Sequence, residues 1–252
     1  MSRPISELHA RIRVVAVAAA SAIALSACSH QDATPGAAPP TASAAPSAGA
    51  GPAFQPAPLG ASIFVVHTVS DLDAFEKFFE GGAAMREAGS VNGYLLSKLA
   101  DGRVVVHLFA EDLLHVQAAM NSDEMQRYLR KAGAPDASLV WVTRDVSVAL
   151  PTTPPAGKTF SLYYKLQVAD MDAFKKAFEE RDDLYAAHGV IGRGLHQTST
   201  EKVVVLHFVA PAKDQLEELT KDPGFAPLLA LAAPEGAGKP LLAEDLLRSR
   251  PK

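Results

Sequence analysis

The sequence carries eight histidines and a single cysteine, with no nucleophile triad, phosphate-binding loop or closed zinc site beside them. His196 and His207 flank a short polar stretch. With a turn at Glu201 they stand opposite one another on adjacent strands, close enough for the two imidazoles to share a ligand. Two imidazoles begin a metal or haem site, and they serve equally well as a half-buried polar pair. No third ligand stands at a recognisable spacing. His107, in the similar run Val104-Val105-Val106-His107, faces Leu96 on this reading, so the pair is not duplicated. His107, His196 and His207 are the candidate ligand-binding residues; no catalytic residue, metal set or cofactor is assigned. His67, His115 and His188 read as structural, His188 because it ends a helix, where the dipole favours a cation.

The cysteine is Cys28. It closes Leu25-Ser26-Ala27-Cys28, after Arg3, Arg11, Arg13 and an apolar run from Val14 to Leu25. A basic start, a short apolar stretch and small residues before a cysteine form a secretory signal. The run is shorter than the roughly 20 apolar residues of a membrane span. The four residues resemble a bacterial lipobox, which implies removal of residues 1–27 and lipidation of Cys28. A lone thiol in an exported chain forms no internal disulfide, and its place here fits an acyl anchor. Several acyl chains hold a protein stably to a bilayer. Ser29 follows the cysteine, and in bacteria that sort by this position it implies outer-membrane delivery, facing the periplasm.

Residues 28–60 are rich in alanine, proline, glycine and serine. They cannot bury enough apolar surface to offset the cost of ordering, so they read as a disordered tether. Losing Arg3, Arg11, Arg13 and Glu7 with the signal takes the net charge from −4 to about −6, which gives nucleic acid or an anionic surface no electrostatic hold.

The rest of the chain repeats itself. Val69-Ser70-Asp71-Leu72-Asp73-Ala74-Phe75 recurs as Val168-Ala169-Asp170-Met171-Asp172-Ala173-Phe174, and Val104-Val105-Val106-His107 recurs as Val204-Val205-Leu206-His207. The offset grows by one residue between the two pairs, which points to an insertion near Ala187-His188-Gly189. Arg144-Asp145-Val146 and Glu244-Asp245-Leu246 match again further on. Each copy reads as strand, helix, strand, strand, helix, strand. Ser70 and Asp170 are the expected helix N-caps. Asp101-Gly102 marks the first hairpin, and a short extra helix follows Ser122 and, in the second copy, Asp222-Pro223. Leu139 to Val146 is a clear strand, whereas Leu241 to Leu247 makes a poor one and fits a helix as well.

This order is that of the split βαβ, ferredoxin-like unit of the α+β class, with copies at 61–150 and 159–252 joined by a linker at 151–158. At this level the chain resembles the dimeric α+β barrel superfamily, in particular the antibiotic biosynthesis monooxygenase-like domains. The resemblance implies that the copies pack sheet to sheet as an intrachain pseudo-dimer around a cavity, leaving a monomer. Haem-degrading members use an asparagine, a tryptophan and a histidine; Asn92, His107 and Trp141 are those types, but their order and spacing do not match. Tyr163 and Tyr164 point to opposite faces of their strand, and either Tyr163, Tyr164 or Lys165 can enter a cavity. The expectation is a non-catalytic envelope lipoprotein that binds a small apolar or aromatic molecule or serves as an interaction module. The alternative is a cofactor-independent monooxygenase-like or haem-handling enzyme.

Overall fold

The computed structural model describes residues 54–57, 59–134, 137–151, 155–198, 202–233 and 238–249. The signal peptide, Cys28 and most of the tether lie outside these residues. After a short strand β1 (Phe54–Pro56), the first copy runs β2 (Ala61–His67), α1 (Leu72–Gly81), α2 (Ala83–Ala88), β3 (Val91–Leu99), β4 (Val104–Ala110), α3 (Leu113–Met120), α4 (Asp123–Lys131) and β5 (Ala137–Pro151). The second runs β6 (Phe160–Gln167), α5 (Met171–Glu179), α6 (Asp182–Ala187), β7 (Gly192–Thr198), β8 (Val203–Ala210), α7 (Lys213–Lys221), α8 (Ala226–Leu229) and β9 (Leu241–Ser249).

Each copy has the same strand order, β5-β2-β4-β3 and β9-β6-β8-β7, with every pairing antiparallel. Two seams close them into one eight-stranded barrel, because β3 pairs with β9 and β5 pairs with β7. Both sheets thus lose their open edges. Strand β1 adds to the long β5 through Phe54↔Pro151 and Pro56↔Ala149.

Strand alternation sorts the core into three layers. Ile63 and Val65 face α1 of the first copy with Phe75 and Phe79. Leu162, Tyr164 and Leu166 face α5 of the second with Phe174 and Phe178. Phe64, Val66, Val105, Trp141, Tyr163 and Val205, drawn from both copies, fill the barrel between them. Phe75 and Phe79 sit one helical turn apart on α1, which is why that helix buries one face.

Three local expectations need correction, and the open reading of Leu241 to Leu247 resolves to the strand of the expected unit. The cap of α1 is Asp71, not Ser70: its carboxylate accepts from the Ala74 amide at 3.0 Å, as Asp170 does from Ala173 in the repeat. The inserted residue lies in the second hairpin, not at the helix end. Ser90 (φ 59°) and Gly189 (φ 66°) occupy the same left-handed position 99 residues apart, and the register Lys98↔Val104 becomes Gln197↔Val204 across a loop one residue longer. Asp222 accepts from the Gly224 amide and forms a turn, while α8 starts later, at Ala226. Leu241 to Leu247 is strand, not helix: β9 supplies the partner for the free edges of β3 and β6, and tertiary pairing overrides its helix-like leucine spacing. The first hairpin turns at Asp101-Gly102, with Gly102 at φ 85°.

Candidate functional site

The shorter first hairpin and longer second one reset the histidine pairing. His196 lies opposite Val205 and His207 opposite Gly194, so they are not a cross-strand pair; His107 lies opposite Leu95, not Leu96. The three candidate histidines nevertheless meet, because β4, β7 and β8 all turn them into the barrel. His107 and His196 are fully buried and His207 is 4% exposed.

Two stacks related by the duplication form the centre. Phe64 on β2 faces His107 on β4, with ring centroids 4.0 Å apart. Tyr163 on β6 faces His207 on β8 in the same way, at 4.7 Å with the ring planes nearly parallel. The imidazoles of His107 and His207 meet edge to face at 4.9 Å, and His196 approaches His107 at 5.5 Å and Phe64 at 5.0 Å.

Carboxylates stand at both seams. Asp145 on β5 accepts from Nδ1 of His196 at 2.7 Å and from the Gly60 amide at 3.3 Å. At the other seam Asp245 on β9 accepts from Ser97 at 2.7 Å and Thr159 at 2.6 Å, and Ser97 also contacts the Tyr163 hydroxyl at 3.3 Å. Ser97 and His196 are counterparts, so the copies have diverged at this position. Gly194 makes the divergence fit: a Cβ there would lie 2.3 Å from Nε2 of His196. The ring occupies the space that a side chain would take.

Burial sets the protonation of the cluster. His107 is held well below its ordinary value by burial and then by His207 and His196; His207 falls to about 3, by burial and then by His196. His207 Nε2 reaches Ser161 at 3.2 Å, but among the described residues neither ring nitrogen of His107, nor Nε2 of His196, has a hydrogen-bond partner. The two carboxyls part company. Burial pushes Asp145 up, but the hydrogen bond and charge of His196 outweigh it and carry the group below its usual range. Burial of Asp245 outweighs Thr159 and Ser97, and its value rises. Two carboxyl groups driven apart in this way can divide acid and base roles, and a carboxylate that fixes an imidazole through Nδ1 leaves Nε2 as a base.

Access is through one end of the barrel. A cavity of about 80 Å³ there is lined by the apolar Leu95, Phe109, Leu150 and Val209 and by the polar His207, Asp245 and Arg248. Among the described residues no group of three or more His, Cys, Asp or Glu is arranged to hold a metal. Haem does not fit either: the imidazoles pack within 4.9–5.5 Å of one another and against aromatic rings, and the cavity is far smaller than a tetrapyrrole. Asn92, at the bulge that opens β3, lines an outer cavity that neither His107 nor Trp141 borders. Trp141 is core, 6.4 Å from Phe64. Of the strand trio, Tyr163 faces inward, Tyr164 packs toward Phe225 on the helix side, and Lys165 is exposed with its ammonium 6.0 Å from Trp141. His188 binds Asp222 at 2.8 Å and His115 contacts Ser90 at 3.2 Å. Asp145, Gly194 and Asp245 belong to the site and escape a reading of the sequence by residue type; the recurrence of aspartate at 145 and 245 in apolar strands is the signal that points to them.

No family model matches the chain, and no curated protein sequence matches it. Solved structures do share its fold. A candidate monooxygenase from Lactobacillus acidophilus NCFM aligns over 75% of this chain and 94% of its own with a TM-score of 0.51 at 10% identity. A haem-binding protein from Thermus thermophilus aligns over 79% and 95%, with a TM-score of 0.50 and 13% identity. An anthrone oxidase-like protein aligns over 75% and 92%, with a TM-score of 0.51 and 9% identity. These establish the dimeric α+β barrel fold, of the kind found in antibiotic biosynthesis monooxygenase-like and chlorite dismutase-like proteins. At such identity they establish the fold alone.

Proposed function

We propose that the mature protein is a lipid-anchored envelope lipoprotein, tethered through Cys28 to the outer membrane and facing the periplasm, whose barrel binds a small apolar or aromatic molecule without transforming it. In this reading the chain is a monomer, since the second copy provides the partner surface. The observation that carries the reading is the cavity at the barrel end, lined by apolar side chains together with His207, Asp245 and Arg248. Apolar walls with a few converging polar groups are the usual form of a small-molecule site. About 80 Å³ is the space of two or three waters at roughly 30 Å³ each, so a planar ring enters it only in part. Phenol is a direct probe, and Trp141, the single tryptophan, lies in the barrel layer as a reporter. Phenol titration is expected to saturate the Trp141 signal with a dissociation constant below about 1 mM, and Leu95→Trp to weaken it at least about tenfold. A wild type silent to about 10 mM phenol, or a Leu95→Trp variant that binds equally well, contradicts the reading.

A second reading is supported by the Asp145–His196 pair: an imidazole oriented by a carboxylate, with a buried Nε2 that has no partner among the described residues, is a base for a phenolic proton in a cofactor-independent oxidation by dioxygen, once the barrel end opens beyond His207 to admit the ring. Dioxygen uptake with hydroquinone that His196→Gln abolishes would support this reading over simple binding.

A further inference from the structure

The duplication provides an internal control for packing, and the two helix layers fail to match. In the second copy Tyr185, Phe208, Leu219 and Phe225 are fully buried, with ring centroids 5.0 Å apart for Tyr185–Phe208 and 5.8 Å for Phe208–Phe225. The offset of 99 up to the hairpin and 100 beyond it gives their counterparts as Arg86, Leu108, Ala119 and Met125. Each is smaller, or longer and flexible. All four line a cavity of about 280 Å³ under α2, α3 and α4, and Met85 and Met120 complete its apolar wall. The same frame that is filled with aromatic rings in one copy is hollow in the other. Methionine is the residue that adapts its shape to an apolar guest.

Arg86 stands at the rim. Its guanidinium lies 4.3 Å over the Phe79 ring and 4.6 Å over the Tyr94 ring, and Nη1 donates to the Phe79 carbonyl. Among the described residues its fork of donors makes that one hydrogen bond, and no ion pair engages it. Glu124 also borders the inner cavity, and Glu87 and Glu111 border the larger outer one, of about 410 Å³, that Arg86 shares. The carboxylates leave the cation at the junction of an apolar chamber and an open polar one, where a planar anion matches the guanidinium best.

We propose that the helix layer of the first copy is a binding site for a medium-chain anionic amphiphile, with its carboxylate on Arg86 and its chain among Met85, Met120 and Met125. About 280 Å³ at roughly 30 Å³ per heavy atom is the size of an eight-carbon carboxylate. The site is separate from the barrel cavity and stands or falls independently of the phenol measurement.

Octanoate, octan-1-ol and butyrate are the probes, used with the chain from Ser29 onward. Methyl NMR should show Met85, Met120 and Met125 shifting on addition of octanoate, and calorimetry should give one site with a dissociation constant on the order of 10–100 µM. Arg86→Gln should weaken octanoate about tenfold or more and leave octan-1-ol within about threefold. Butyrate, too short to fill the chamber, should bind at least about tenfold more weakly than octanoate. Refilling with the second copy's residue, Ala119→Leu, should raise the melting temperature and abolish octanoate binding. Unmoved methionine methyls in the wild type overturn the proposal. So does an Ala119→Leu protein that melts at or above the wild-type temperature and binds octanoate undiminished. Equal loss of octanoate and octan-1-ol in Arg86→Gln overturns the assigned role of the guanidinium.

Discussion

Gly194→Ala is the smallest change that should disturb the histidine cluster. The added Cβ would lie 2.3 Å from Nε2 and 3.0 Å from Cε1 of His196, closer than packed atoms approach. The ring cannot tilt away freely. It is fully buried, held to Asp145 at 2.7 Å, and flanked by Phe64 and His107 at centroid distances of 5.0 and 5.5 Å. Overpacking of a filled interior costs about 1–3 kcal/mol, and a hydrogen bond to a charged group contributes about 1.5–3 kcal/mol. The substitution should therefore destabilise by roughly 2.5–6 kcal/mol, which for a unit of this size lowers the melting temperature by about 5–24 °C. Urea unfolding followed by circular dichroism measures it. A double-mutant cycle isolates the cause: with His196→Ala already present the ring is gone, and Gly194→Ala should be neutral or stabilising by up to about 1 kcal/mol, because alanine loses less backbone entropy than glycine in a strand. An equal cost in both backgrounds would refute the claim that Gly194 exists to admit His196.

Acid should destabilise the fold well before its carboxylates protonate. His67 is lowered to about 4 and His207 to about 3, and His107 lies well below 6.5, all chiefly by burial. Their contribution is intact above the unfolded value near 6.5 and is lost as pH falls toward the folded values, because the unfolded chain binds protons that the native chain refuses. Three such groups give a slope of about 4 kcal/mol per pH unit between roughly pH 5.5 and 4. Asp145, whose value is depressed, adds to the loss only below the ordinary carboxylate range, and Asp245, whose value is raised, opposes it. Urea midpoints that stay flat from pH 7 to 4.5 would contradict this. For the anchor, labelling cells with a palmitate analogue should mark the wild type and leave Cys28→Ala unlabelled; equal labelling of both would remove the lipid from the account.

Much of the frame is legible in the sequence because its signals are local. The capping aspartate at 170, the Asp101-Gly102 turn and the i, i+3, i+7 apolar faces of α1 and α5 each need only a few neighbouring residues. The seams are not legible. Pairing β9 with β3 joins residues about 150 positions apart, as in Ser97↔Asp245, and the leucines of β9 are spaced like those of a helix. The histidine register fails because the turn residues do not fix where each hairpin pairs. A turn centred at Glu201 places His196 two residues from its observed partner Val205, a shift that leaves both histidines on the barrel face. The first hairpin is off by one, Leu95 instead of Leu96 opposite His107, and a one-residue slip pairs the wrong faces. The three histidines stand out by residue type alone, and their convergence depends on both copies closing one barrel. The hollow under α2 to α4 is visible only as substitutions between the copies, once the correct offset is known.

The central claim is that the two copies close around one buried cluster of imidazoles in which His107 and His207 are neutral. Long-range proton–nitrogen NMR of the histidine rings, followed from pH 7.5 to 4.5, tests it most directly. His107 and His207 are expected to keep the nitrogen shifts of neutral tautomers down to pH 4.5, about two units below the value of a free imidazole. Titration of both near 6.5, with ring protons in rapid exchange, would mean that they face water and that the barrel is not closed as described.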